Sequence, residues 1–250
     1  MAEDDESKRP RLGYWNMRCI GEPIRLLLTY AGVTFEDVRC VRAPRSRQNV
    51  QHESLPALHE SRAPRNRYDV GPPPLYDKSS WYGVKNDLGL SIPNLPYYID
   101  PHTGTRLTQT HAILRFLGER HGLAGETEQQ RALAQMAQEA MRDMMYDFFD
   151  VTYCSMGDTD GSLHRQGASQ CAQTSPKFEE RKAAYLTGKL NVHLACFARM
   201  LRSAEGGAMW IAGTVRPTYA DFQLAEYLDQ VWCAVPPCAG GSRVRSARDS

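Results

Sequence analysis

The stretch LGYWNMRCIGEPIRLLLTYAG, Leu12 to Gly32, decides how the chain begins to fold. Its first residues are apolar and aromatic, which reads as the end of a β-strand over 12–15. Pro23 then suits the first turn of a helix running to about Ala31, where its missing N–H costs nothing, and Gly32 suits the C-terminal cap. A strand hands over to a helix, with an exposed-looking Tyr14 and Trp15 pair at the joint. Outward from there, a second strand is expected around Thr34 to Cys40. IPNLPYYID (Ile92 to Asp100) followed by TRLTQT (Thr105 to Thr110) reads as an extended segment and a hairpin, and THAILRFLGERHG (Thr110 to Gly122) returns to helical spacing and ends in glycine. The order is β-α-β, then β-β-α.

After Gly125 the pattern changes. Thr127 and Gln130 form a capping-box pair at the head of a long apolar-periodic run reaching about Phe149. A second long run, Lys177 to Arg202, spaces Phe178, Leu186, Leu190, Phe197 and Leu201 for one helical face. A third starts at Thr218 with Asp221 three residues on, then carries Phe222, Leu224, Ala225 and Leu228. The expectation is an α+β protein: a mixed domain over 1–122 followed by an all-helical domain over 123–250. Three stretches follow neither period. Residues 41–68, rich in Arg, Pro, Ser and Gln, read as a disordered insertion; residues 155–175 are small and polar and read as a second insertion; the tail 234–250 is irregular.

The whole chain bounds the function. Its 250 residues can bury a proper core, and a formal charge of +1 with pI near 7.6 provides no global field to attract nucleic acid. The Arg-rich segment 41–68 has no aromatic residues interleaved in its interior to stack bases, so a nucleic-acid partner is not expected. The N-terminal MAEDDESKRPR is polar where a secretory signal is apolar, and no apolar run approaches the roughly 20 residues of a membrane span. The KRPR run reads as a solvated tail in preference to a nuclear address. A cytoplasmic protein without a membrane partner is the expectation. Seven scattered cysteines, odd in number and with no C-x-x-C pair, fit reduced thiols and neither a disulfide framework nor a zinc site.

With LGYWNMR and IRLLLTYAG, YDKSSWYGVKNDLGLSIPNLPYYID (Tyr76 to Asp100) and LTQTHAILRFL (Leu107 to Leu117) in this order, the chain resembles a cytosolic glutathione transferase of the mu class. The resemblance covers roughly residues 12–40, 69–154 and 176–232. It implies a thioredoxin-like N-terminal domain, a helical C-terminal domain, glutathione as co-substrate with no prosthetic group and no metal, a hydrophobic electrophile as second substrate, and a homodimer. The function implied is conjugation of glutathione to such electrophiles, the alternative being a non-catalytic protein that binds glutathione or apolar ligands.

The resemblance also implies roles for single residues. A thiol titrates near 8.5, so only a few per cent of glutathione is thiolate at neutral pH. A tyrosine hydroxyl, neutral up to about pH 10, can donate to that sulfur without taking its proton, and this catalytic role falls to Tyr14. Trp15, Lys78, Trp81 and Lys85 would contact the tripeptide, the last two at its glycine end and, four residues apart, on one helical face. Asn94 and Leu95 match the pair beside the cysteinyl part, with Pro96 matching a proline that is cis in this fold. Gln109 and Thr110 would hold the γ-glutamyl carboxylate at a helix N-terminus. Asp143 matches a residue reaching the ligand's amino group from the partner subunit, and Tyr153 one that donates to the electrophile.

Some positions depart from the family pattern. Lys78 stands where the family has arginine, keeping charge without the bidentate fork. Thr110 replaces serine, and Ile92 replaces the aromatic key of the dimer, a smaller anchor. The two insertions and the altered end are either translated non-coding sequence with a misread terminus or the marks of a diverged, truncated protein. A disulfide-exchange reading centred on Cys19 lacks a resolving cysteine at C-x-x-C spacing.

Overall fold

A computed structural model describes residues 8–39, 78–152, 178–203 and 209–234. The expected insertions at 41–68 and 155–175, residues 235–250 and Tyr153 lie outside the described residues.

Strand β1 (Arg11–Tyr14) leads through a 3-10 turn (Cys19–Gly21) into α1 (Glu22–Tyr30), and β2 (Glu36–Arg39) returns parallel to β1, Leu12 facing Asp37. A short helix α2 (Ser79–Tyr82) precedes the antiparallel hairpin β3 (Tyr97–Asp100) and β4 (Thr105–Thr108), and β3 pairs antiparallel with β1. The sheet order is β2-β1-β3-β4. Helix α3 (Thr110–Arg120) closes this unit, followed by α4 (Glu128–Thr152), α5 (Phe178–Thr187), α6 (Lys189–Arg202) and α7 (Tyr219–Ala234). This is a thioredoxin-like domain followed by a helical domain, as the order of elements predicts. No described helix is long and apolar enough to cross a membrane.

Alternation along β3 splits the interior in two, because successive strand side chains point to opposite faces. Tyr98 joins Leu12, Ile24, Leu28 and Leu114 in a main core that continues into the helical domain through Met141, Tyr219 and Leu224. Tyr97 and Ile99 face the other way, into a small cluster with Tyr14, Val38, Trp81, Leu90 and Leu95. One core therefore fixes the helical domain against α1 and α3, and the second lies under the β1–α1 joint.

The helix ends follow local chemistry. Gly32, at φ +69°, takes the left-handed position after α1 that costs other residues energy. Thr127 Oγ1 accepts from the Gln130 N–H at 3.1 Å while Gln130 Oε1 accepts from the Thr127 N–H at 3.1 Å, a reciprocal capping box. Asp221 caps α7 with three bonds, accepting from the Thr218 N–H (2.8 Å), the Thr218 hydroxyl (2.8 Å) and the Ile211 N–H (2.9 Å).

Two expectations change. The run Lys177 to Arg202 is two helices, broken at Gly188, whose φ of −109° and ψ of −99° leave the helical region. Tyr185, Leu190 and Phe197 are buried from the two segments, whereas Leu201, expected on the same face, is 41% exposed in the last turn of its helix. The helix carrying Trp81 also ends at Tyr82, so Lys85 lies beyond it, joined to Trp81 by an i→i+4 bond from the Lys85 N–H to the Trp81 carbonyl (3.0 Å).

Candidate functional site at the joint of the first strand and helix

Tyr14 is the last residue of β1 and, contrary to its exposed look in the sequence, only 4% of it is accessible. The backbone explains the burial. A Cβ on Gly21 would stand 2.5 Å from the Tyr14 ring, so the ring rests directly on the glycine of the following turn. The Arg25 guanidinium lies over the ring at 6.0 Å, within cation–π range. Tyr97 in turn lies across Gly13, where a Cβ would meet its ring at 2.1 Å, and Trp81 stacks on Tyr97 with centroids 6.1 Å apart and planes at 19°. Two glycines thus make room for an aromatic layer of Tyr14, Tyr97 and Trp81, with Trp15 packed at its margin.

Leu95 is buried against the same cluster, its bond to Pro96 is cis, and Asn94 beside it is exposed. Gln109, at the N-cap of α3, has φ +71°, a rare conformation for a non-glycine residue. Backbone strain of this kind concentrates at ligand clamps. Thr110 is buried, and its hydroxyl donates to the Ile20 carbonyl at 3.2 Å, holding the start of α3 against the β1–α1 loop. The first N–H groups of α3 have no intrahelical acceptor and carry the positive end of the helix dipole, so this end suits a carboxylate.

The structure therefore brings Tyr14, Trp15, Trp81 and Leu95 into one cluster and joins it to Thr110 through the loop. Lys78 is half-buried at the N-cap of α2, where its carbonyl accepts from the Trp81 N–H at 3.0 Å. Lys85 is half-buried with Nζ 5.0 Å from the Tyr82 ring. Asp143 is not brought to the cluster: it is exposed on α4, whose main packing partners are α5, α6 and α7. Among the described residues no group of three or more His, Cys, Asp or Glu could hold a metal ion.

Two neighbours, Arg25 and Arg18, escaped the sequence reading, and the structure gives a third, Cys19, its surroundings. Cys19 sits at φ +46°, its thiol packed against the cluster. Burial pushes that thiol's pKa up, outweighing hydrogen bonds from Ile20 and Tyr14 that favour the thiolate, which disfavours thiol exchange. Arg25, buried, donates Nη1 to the Met17 carbonyl (3.0 Å) and to Glu22 (3.0 Å), and Nε to Asp37 (3.1 Å). Arg18 reaches across to the helical domain and binds both Glu226 and Asp229 of α7. Only tertiary packing makes these pairs, since Arg18 and Glu226 lie 208 residues apart.

A buried polar chain links the same regions. Gln223 of α7 donates Nε2 to His111 Nε2 (3.1 Å), one residue beyond Thr110, and its Oε1 accepts from Gln138 of α4 (3.3 Å). His111 Nδ1 faces Glu139 at 3.4 Å, and burial lowers the imidazole pKa.

Comparison with known proteins agrees with this architecture. A family model described as glutathione S-transferase, C-terminal domain, matches residues 162–238. Glutathione S-transferase Mu 1 of Oryctolagus cuniculus is 33% identical over 228 residues, 91% of this chain and 78% of that protein. A glutathione S-transferase of Dermatophagoides pteronyssinus is 32% identical over 232 residues, 93% and 80% of the two chains. Among solved structures, a pi-class glutathione S-transferase of Onchocerca volvulus superposes with a TM-score of 0.59 at 23% identity, covering 89% of this chain and 76% of that one. A glutathione S-transferase of Caenorhabditis elegans gives 0.56 at 22%, covering 90% and 83%. With a relative at 33% identity across nine-tenths of its length and the same domain order, the chain belongs to the glutathione S-transferase family as a mu-class-like member.

Proposed function

We propose that the protein conjugates reduced glutathione to hydrophobic electrophiles, with Tyr14 stabilising the glutathione thiolate. The observation that carries this reading is the buried Tyr14 ring, wedged on Gly21 at the end of β1 and tied through the Ile20 carbonyl to the start of α3. In this reading the thiol loses its proton to solvent, and the Tyr14 hydroxyl donates to the resulting anion. The sulfur attacks the electrophilic carbon, a C–S bond forms, and the leaving group departs with the bonding pair. Lowering the thiol pKa by about two units corresponds to roughly 2.7 kcal/mol of preferential thiolate stabilisation. Positioning and anion stabilisation supply the acceleration.

Glutathione would lie beside Trp15 and Lys78 with its glycine end toward Trp81 and Lys85, its cysteinyl part beside Asn94 and Leu95, and its γ-glutamyl carboxylate at Gln109 and Thr110. Asp143, exposed on α4, would serve the site of a second copy in a homodimer. Tyr153 would donate to the electrophile. Glutathione is the co-substrate and no prosthetic group takes part. A cytoplasmic location and a division of the chain at 122/123 into glutathione-binding and electrophile-binding domains belong to the same proposal. The test is turnover of an aromatic halide with glutathione by the wild type and by Tyr14→Phe. A wild-type rate well above the solution background that falls by about 2–4 kcal/mol of transition-state stabilisation in the variant supports it. Glutathione binding without conjugation would instead indicate a non-catalytic binding protein, and an unchanged rate in Tyr14→Phe would remove Tyr14 from the mechanism.

A further inference from the structure

We infer that Arg18 is a positioning residue for conjugation, tying the loop that follows Tyr14 to helix α7 of the other domain; the inference rests on the function proposed above. Three side-chain anchors, among other contacts, hold the loop from Trp15 to Gly21. Arg25 donates to the Met17 carbonyl at 3.0 Å, Thr110 donates to the Ile20 carbonyl at 3.2 Å, and the Arg18 guanidinium divides its two Nη groups between Glu226 and Asp229. The first two anchors lie within the thioredoxin-like domain. Arg18 alone of the three reaches the helical domain.

Its partners are unequal. The Glu226 side chain is fully buried and its remaining oxygen accepts from Gln230 at 2.8 Å, whereas Asp229 is 46% exposed. A planar guanidinium can bridge two carboxylates three residues apart on one helix, whereas an ammonium offers a single point charge. Arg18 is linked to the reacting group through its neighbours in the loop. Cys19, the next residue, packs against the Tyr14 cluster, and Gly21 bears directly on the Tyr14 ring. The ion pair thus fixes the direction of the Tyr14 hydroxyl relative to α7, and with it the separation of bound thiolate and electrophile. A misplacement of about 1 Å in a reacting geometry can cost up to ~100-fold in rate.

The experiment measures the pKa of enzyme-bound glutathione from thiolate ultraviolet absorption, kcat and KM, and the melting temperature. The variants are Arg18→Gln, Arg18→Lys, Arg18→Gln with Glu226→Gln, and Tyr14→Phe. Arg18→Gln is expected to raise the bound thiol pKa by about one unit and lower kcat about tenfold. KM for glutathione is expected to move less than about twofold, since positioning acts on the transition state rather than on binding. Arg18→Lys, which keeps the charge without the fork, is expected to fall between. The double variant removes the uncompensated buried carboxylate, so its melting temperature should recover while the thiol pKa stays raised and kcat stays low. Recovery of all three would overturn the inference, reducing Arg18 to a counterion of Glu226. An Arg18→Gln enzyme with wild-type thiol pKa and kcat would overturn it as well. If Tyr14→Phe raises the thiol pKa in that case, the proposed function stands and only the inference fails; if Tyr14→Phe changes nothing either, both fail.

Discussion

Replacing Asp221 by alanine tests whether one buried carboxylate holds α7 in place. Its two oxygens accept from the Ile211 N–H at 2.9 Å, the Thr218 N–H at 2.8 Å and the Thr218 hydroxyl at 2.8 Å. Ile211 and Thr218 are each 1% exposed, so water cannot replace the lost acceptor without opening the structure. A buried donor left unpaired costs about 1–3 kcal/mol, and two backbone N–H groups are stranded here, while the hydroxyl can rotate toward another acceptor. The expected loss is therefore about 3 kcal/mol, above the roughly 1 kcal/mol of an ordinary exposed cap. For a chain of this size that lowers the melting temperature by ~6–12 °C. Urea unfolding of wild type and Asp221→Ala, with equal slopes and a shifted midpoint, measures the difference. Asp221→Asn should lose less, because its one remaining oxygen still satisfies Thr218 while its amide NH₂ faces the Ile211 N–H. A loss below about 1 kcal/mol in the alanine variant would refute the reasoning, since it would mean that the two N–H groups find other partners. The outcome bears on the site because α7 also presents Glu226 and Asp229 to Arg18.

Two further outcomes follow from the structure. Burial, opposed by Glu139, holds the folded-state pKa of His111 below its unfolded value of about 6.5, with Gln223 donating to Nε2 and the Arg142 charge also disfavouring protonation. Above about pH 6.5 both states leave the ring neutral; as pH falls below that, the unfolded chain takes up the proton first and stability drops until the folded pKa is passed. Urea midpoints should therefore decline on acidification less steeply in His111→Gln than in the wild type, and parallel declines would exclude His111 as a source of acid sensitivity. Ile92 is 63% exposed in the single chain, at the position proposed to anchor a homodimer. Ile92→Phe adds roughly 40 Å² of apolar surface per subunit, counted twice across a two-fold interface and worth ~2 kcal/mol if buried, so sedimentation should show a dimer about thirtyfold tighter. An unchanged or weaker dimer would place the anchor elsewhere.

Where the sequence was legible, the signal was local. Pro23, Gly32, the Thr127 and Gln130 pair and the Thr218 and Asp221 pair each mark a helix end within four residues, and the hydrogen bonds fall where those residue types require them. The break at Gly188 was missed because apolar residues on both sides kept a plausible spacing, and one glycine inside a helical pattern is often tolerated. The motif around Tyr14 proposes it for the catalytic role, yet does not reveal its burial, since that depends on Gly21 lying under the ring.

The sequence by itself determined the order of elements, the helix caps, the family resemblance and the residue types available for holding a thiolate, because these rest on short-range dihedral and hydrogen-bond preferences and on contiguous motifs. Only the tertiary structure decided which side chains meet. The aromatic layer over Gly13 and Gly21, the contact between Thr110 and the Ile20 carbonyl, the Gln223 link to His111 and the reach of Arg18 to Glu226 all join residues far apart in the chain. Such pairs leave no periodic trace in a single sequence, because their free energy comes from burial and close packing that exist only once the two domains have shared one core.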